Sequence, residues 1–136
     1  DRLREMVLAT SPLLRDLPLA IADRLLGACK AVTARRGQVV MSTSQGVPAF
    51  HLVLLGALEV LGPKGEVLGE LSAGDAFGHA GALRRDVSPH DVRSLGFAQM
   101  LRMDSMSLMQ ITAEEALLAE RFDWAISEWV NRFGRS

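Results

Sequence analysis

Apolar residues are spaced in three different ways along the chain. Up to about residue 28, Leu13, Leu14, Leu17, Ile21, Leu25 and Leu26 recur every three or four positions, and Pro12 and Pro18 punctuate the start. That period turns one side of a helix toward a core and predicts two short helices between residues 3 and 28. From residue 31 to 103 the spacing changes to short β-type runs: Val39-Val40-Met41, Phe50 to Leu55, Leu58 to Leu61, Val67-Leu68 and Phe97 to Met103. Gly37, Gly46, Gly56, Gly62, Gly65, Gly69, Gly74 and Gly78 fall mostly between these runs or at their ends, where tight corners often need positive φ. Many short strands with glycine corners predict a sandwich, roll or barrel.

The helical period then returns. Asp104 offers an N-cap, and Thr112-Ala113-Glu114-Glu115 has the form of a capping box that opens a second helix. In that last helix Leu118, Phe122, Ile126, Trp129 and Phe133 form an apolar stripe, and Trp124 lies off it and widens the apolar face. The order helices, strands, helices predicts an α+β fold: an antiparallel β-roll, double-stranded β-helix or jelly-roll-like, flanked by N-terminal and C-terminal helices. The expected organisation is a single domain over residues 1–136, with helices at 3–28, the roll at 31–103 and the C-terminal helices at 104–134.

Composition narrows the class. A length of 136 residues suffices for a core without disulfides or metal. A net charge of -1, with 23% charged residues, advertises neither a nucleic acid nor a membrane surface as partner. The only cysteine, Cys29, follows Leu25, Leu26 and Ala28, which excludes an internal disulfide and suggests a core residue in a reducing compartment. No run approaches the roughly 20 apolar residues of a membrane helix, and Asp1-Arg2-Leu3-Arg4-Glu5 lacks a signal-peptide layout, so a cytoplasmic location is expected. A chain that opens on Asp1 is expected to be a piece of something longer, and without a helix-turn-helix no nucleic-acid contact is expected of this chain alone.

Reactive chemistry finds little support. His51, His79 and His90 are the only histidines, and none belongs to a His-x-His pair of the kind metal-binding barrels use. His51 falls in a strand and is expected to be packed there. No serine sits in a nucleophile elbow, no glycine run forms a P-loop, and Glu114-Glu115 suits helix capping better than acid/base work. Neither an enzyme nor a metal site is expected.

Three segments carry a resemblance. Arg36-Gly37-Gln38-Val39-Val40-Met41, Phe50-His51-Leu52-Val53-Leu54-Leu55-Gly56-Ala57-Leu58-Glu59-Val60 and Leu71-Ser72-Ala73-Gly74-Asp75-Ala76-Phe77-Gly78 together resemble the cyclic-nucleotide-binding domain family, which includes the effector domain of the catabolite activator type. The likeness covers roughly residues 12–130. It implies a phosphate-binding cassette after Phe77-Gly78, with cyclic AMP or cyclic GMP as ligand. In the family a Gly-Glu-x-Ala-Leu-like turn and short helix offer N–H groups to the cyclic phosphate, an Arg before the next strand pairs with its charge, and the Glu accepts the ribose 2′-hydroxyl. Here the turn is Gly78-His79-Ala80-Gly81-Ala82-Leu83. His79 stands at the Glu position, Ser88 at the Arg position, and Asp91 where a small hydroxyl residue usually meets the base.

The candidate ligand-binding residues are therefore Gly78, His79, Ala80, Gly81, Ala82, Arg84, Arg85, Ser88, Pro89 and Asp91, with Arg84, Arg85 or His90 able to swing toward an anion. Losing two charge-assisted hydrogen bonds of about 1.5–3 kcal/mol each would weaken binding roughly 10² to 10⁴-fold, so cyclic AMP is expected to bind weakly or not at all. The pair His79→Glu and Ser88→Arg is expected to tighten it at least about tenfold. Two functions follow: a regulatory module that senses a small nucleotide or anion and relays occupancy through its C-terminal helix, or a ligand-free dimerisation or protein-interaction module. A homodimer through the stripe from Leu118 to Phe133 is expected, because such a face left bare on a small monomer invites aggregation.

Overall fold

The computed structural model describes residues 2–134; residues 1, 135 and 136 of the expected domain lie outside them. Helices α1 (Arg2–Thr10) and α2 (Leu19–Gly27) lead into strands β1 (Lys30–Ala34), β2 (Val39–Met41), β3 (Phe50–Leu55), β4 (Leu58–Leu61), β5 (Val67–Leu71) and β6 (Ala76–Phe77). A short helix, α3 (His79–Arg84), precedes β7 (Asp91–Ser94) and β8 (Ala98–Met103), and α4 (Ser105–Glu114) and α5 (Ala116–Phe133) close the order. The strands form two four-stranded sheets, β1-β8-β3-β6 and β2-β7-β4-β5, with antiparallel pairing throughout. The fold is α+β, an antiparallel roll between two helical ends. The sheets do not close into a barrel.

Strand alternation explains the layering. Phe50 and Leu52 of β3 project into a core shared with the helices, whereas Val53 projects into a core between the two sheets. On β8, Leu101 and Met103 face the helices and Ala98 and Met100 face the other sheet. One sheet is thus covered on both sides over much of its area, which is why the first four residues of β3 are all buried, whereas β8 exposes Gln99 and Arg102. The other keeps a wet face, where Arg93 Nε donates to Glu59 Oε1 at 2.9 Å across the β4–β7 register.

The helix ends match expectation at one place and depart at another. Asp104 caps α4, its carboxylate accepting from Ser107 N at 2.8 Å. Thr112 opens no helix: it lies inside α4, and its hydroxyl donates back to Leu108 O at 2.9 Å. The break comes three residues later, at Glu115 in an extended conformation (φ -121°, ψ 97°), and no side chain caps α5.

The stripe of α5 is covered within the chain. Leu118 and Phe122 enter the helix-side core, where Phe122 meets Phe50 edge-on with ring centroids 5.2 Å apart. Trp129 and Phe133 reach the core between the sheets. Arg121 Nη1 secures the upper part of α5 by donating to Leu13 O at 2.8 Å and Arg15 O at 2.6 Å. The stripe expected to be bare on a monomer is therefore covered largely within the chain, by the roll and by the other helices. Trp124 and Leu117, off the stripe, each stay 45% exposed.

Candidate functional site

The cassette region starts at Gly78, the residue before α3, held at φ 80°. A β-carbon there would lie 2.0 Å from Ala49 O, so position 78 needs glycine for its conformation and for the close approach of β3's leading edge. Helix α3 then runs six residues and stops at Arg85, itself in the left-handed region at φ 56°. Asp86 N closes back on Gly81 O at 3.0 Å. Further on, Ser88 folds the loop on itself: its hydroxyl donates to His90 O at 2.7 Å and accepts from His90 N at 3.0 Å.

A cavity of about 430 Å³ lies between this segment and the end of α5, within the roughly 300–1,000 Å³ range of small-molecule sites. Gly78, Ala80, Gly81 and Arg84 line it from the α3 side, and Asp86, Val87, Ser88 and Pro89 from the loop. Met41 and Pro48 supply further apolar wall, and Trp129, Val130 and Gly134 close it from α5. Arg84 makes no hydrogen bond or ion pair among the described residues, which leaves its guanidinium available to a ligand.

The remaining sequence candidates lie elsewhere. Ala82 is fully buried in the helix-side core. Arg85 turns away and donates from Nη1 to the Ser105 hydroxyl at 3.1 Å. Asp91 accepts from Thr43 N at 2.8 Å. His79 points from the cassette toward α5: Nε2–H donates to Ala125 O at 3.2 Å, and the ring lines a smaller cavity of about 110 Å³ on the far side of Trp129. His79 thus does not line the larger cavity.

The three histidines are buried and share one electrostatic consequence. Burial pulls His79 down to about 4 against the opposing pull of the Ala125 carbonyl. It pulls His51 down to about 4 against the Ala49 carbonyl, which accepts from Nδ1–H at 3.1 Å. His51 also stacks flat on Phe77, centroids 4.6 Å apart. Burial lowers His90 as well, opposed by the Phe133 backbone. All three rings are neutral near pH 7. Burial likewise pushes the Cys29 thiol up to about 12, which removes thiolate chemistry.

Sequence reasoning gave weight to Trp129 and Phe133 only as stripe residues and to His90 only by position. The structure brings the three together: His90 faces Trp129 at 6.1 Å and Phe133 at 6.4 Å between ring centroids. A signal was present in the alternation His90, Val92, Ser94, all buried, which continues the inward face of β7 by one step. Among the described residues no cluster of three His, Cys, Asp or Glu could hold a metal ion, and no helix is long and apolar enough to cross a membrane.

Two open antiparallel sheets, a helical insert between β6 and β7 and a final helix across the cavity they form place the chain among the β-roll domains that carry a small-molecule-sized pocket. The cyclic nucleotide-binding domain family matches residues 31–115, more than half of the chain, and the chain belongs to that family. Solved structures agree in fold. The catabolite activator protein of Thermus thermophilus superposes with a TM-score of 0.78 at 17% identity, over 89% of this chain and 59% of that one. The N-terminal domain of a transcriptional regulator from Streptomyces coelicolor A3(2) gives 0.74 at 16% identity over 92% of both chains. The cAMP-bound PfPKA-R gives 0.74 at 17% identity over 93% of this chain and 47% of that one. The chain thus spans about three fifths of the Thermus protein's length. No curated protein matches it by sequence.

Proposed function

We propose that this domain is a cytoplasmic regulatory sensor that binds a small anionic ligand, a nucleotide or a relative of one, at the α3 cavity and relays occupancy through α5. The observation that carries this reading is that a cavity of about 430 Å³ adjoins the cassette-like segment from Gly78 to Pro89, with an unpaired guanidinium, Arg84, in its wall and Trp129 of the final helix closing it. A ligand entering there pushes directly on α5. The family's cation is replaced by the Ser88 hydroxyl, already committed to the His90 backbone, and Asp86 offsets the charge of Arg84. Affinity for cyclic AMP therefore falls from micromolar toward a Kd on the order of 0.1–10 mM.

Titration of the purified domain with cyclic AMP and cyclic GMP, followed by backbone amide shifts so that millimolar binding is seen, tests this. The expected result is saturable shifts at Gly78 to Pro89 and along the last turns of α5. Shifts confined elsewhere, or none, sink it.

A second reading, a ligand-free dimerisation or interaction module, draws support from Trp124 and Leu117, each 45% exposed on the outer side of α5. Both border a groove with Pro12 and Leu17. Sedimentation at micromolar concentration separates the two: this reading expects a dimer that Trp124→Ser disperses and that ligand leaves unchanged.

A further inference from the structure

We infer that His90 is a ligand-recognition residue held in reserve behind Trp129, and that it enters the α3 cavity when the last turns of α5 move away. This rests on the reading of that cavity as the ligand site and says which side chain completes it.

The argument begins with what the imidazole lacks. His90 is 0% exposed, and neither ring nitrogen reaches hydrogen-bond geometry with a partner among the described residues; the Phe133 backbone lies near enough only to oppose the effect of burial. A neutral imidazole always carries one donor and one acceptor, so what it loses to water is answered at most by a weak contact with the Phe133 backbone. A phenylalanine or leucine would fill the same apolar niche without that penalty. A polar group kept unsatisfied in a core is out of place structurally and in place functionally if another state satisfies it.

Position indicates the other state. Ser88 and Pro89, the two residues before His90, line the cavity. The Ser88 hydroxyl grips both the N–H and the C=O of His90, so the backbone carrying the ring is fixed to the cavity wall. What separates the imidazole from the cavity is Trp129, at once part of that wall and a neighbour of the ring. The same indole meets His79 on another side, centroids 5.7 Å apart, and His79 Nδ1 is also buried without a partner. Three orphaned ring nitrogens thus surround one aromatic side chain on the last turns of α5. Withdrawing Trp129 opens the His90 ring to the cavity and adds a neutral donor and acceptor to a wall that already holds Arg84, Asp86 and Ser88. A bound anion bearing hydroxyl or ring acceptors has use for both.

The test is a double-mutant cycle of His90→Phe and Trp129→Leu in the intact chain, with cyclic AMP as probe, amide shifts as readout and urea midpoints recorded for all four proteins. Trp129→Leu loosens the cover and should tighten cyclic AMP binding about fivefold or more where His90 is present, by raising the population of the competent state. With His90→Phe the tightening should vanish, while the urea midpoint of the single variant rises or holds. The inference is overturned if Trp129→Leu tightens binding equally in both backgrounds, or if His90→Phe lowers the midpoint, which would make the imidazole structural. Absence of cyclic AMP shifts in all four proteins refutes the sensor reading and takes this inference with it, whereas binding that ignores position 90 refutes this inference alone.

Discussion

Trp129 stands edge-on to His79, ring centroids 5.7 Å apart and planes at 87°. His79 is the first residue of α3, and Trp129 belongs to the penultimate turn of α5. Under the proposed relay, a displacement of α3 by a ligand would pass directly to α5 through this ring contact. The hydrogen bond from His79 Nε2–H to Ala125 O, one turn earlier, adds a second link between the same two elements.

Acid should weaken the fold before any carboxylate cap is lost. His51 and His79 are held at about 4 in the folded chain against 6.5 when exposed. Between those values the unfolded chain binds protons that the folded chain refuses. Stability is therefore fully present above pH 6.5 and falls as the pH drops toward 4, by roughly 3 kcal/mol per histidine. His90, shifted the same way, adds to the slope. The Asp104 cap, lowered by the Ser107 N–H and hydroxyl, gives way only in more acid solution. Urea midpoints should decline steadily from pH 7 to 4.5 and less steeply in His79→Leu; a flat profile would contradict the buried neutral state.

Gly69 on β5 carries the end of α5. A β-carbon there would stand 2.7 Å from Phe133 Cε1, so the ring lies on the strand only because residue 69 has no side chain. Gly69→Ala should lift the last turn and cost about 1–3 kcal/mol. The chain has two tryptophans, so in a Trp124→Phe background the emission reports Trp129 alone and should shift to the red. Unchanged emission and unchanged stability would show that α5 is not seated there.

Arg84 and Arg85 should part company. Arg84 lines the cavity without a protein partner, whereas Arg85 donates to Ser105. Arg84→Ala should leave stability within about 0.5 kcal/mol and weaken cyclic AMP binding about tenfold. Arg85→Ala should leave the affinity as it is. Equal losses of affinity would place both guanidinia at the ligand.

What the sequence made legible follows from the range of each signal. Glycine corners and alternating runs are local, and they located the roll; Asp104 as a cap is a signal of three residues, and it held. Thr112 failed although its motif was as good, because a threonine inside a helix can bond back to Leu108 O and the motif does not say which outcome wins. The period of α5 revealed a buried face, but its cover comes from strands and from the segment around Leu13, 108 residues before Arg121, and periodicity carries no information about cis or trans. The spacing after Phe77 marked out a segment that borders the α3 cavity. The direction of its side chains was not legible, because the rotation of α3 decides whether position 79 looks at the ligand or at Ala125.

That rotation divides the two substitutions expected to restore family-like binding. Ser88 lines the cavity, so Ser88→Arg puts a guanidinium where an anion would lie. It sacrifices the two hydrogen bonds to the His90 backbone, about 1 kcal/mol each, against a charge-assisted pair of about 1.5–3 kcal/mol with the ligand. Pro89 limits how far the loop can relax in response. His79→Glu does something different. The ring it replaces is buried between α3 and α5, beside Phe122 and Trp129. A carboxylate there would face the Ala125 carbonyl, which can accept but not donate, and would have to take up a proton to remain buried. The single change Ser88→Arg should therefore tighten cyclic AMP binding at least about tenfold, with a modest loss in the urea midpoint. His79→Glu should lower the midpoint sharply and leave affinity no better, and the double variant should bind no more tightly than Ser88→Arg alone. Amide-shift titration of the three variants decides it: a double variant tighter than Ser88→Arg would mean that position 79 turns into the cavity when ligand is bound.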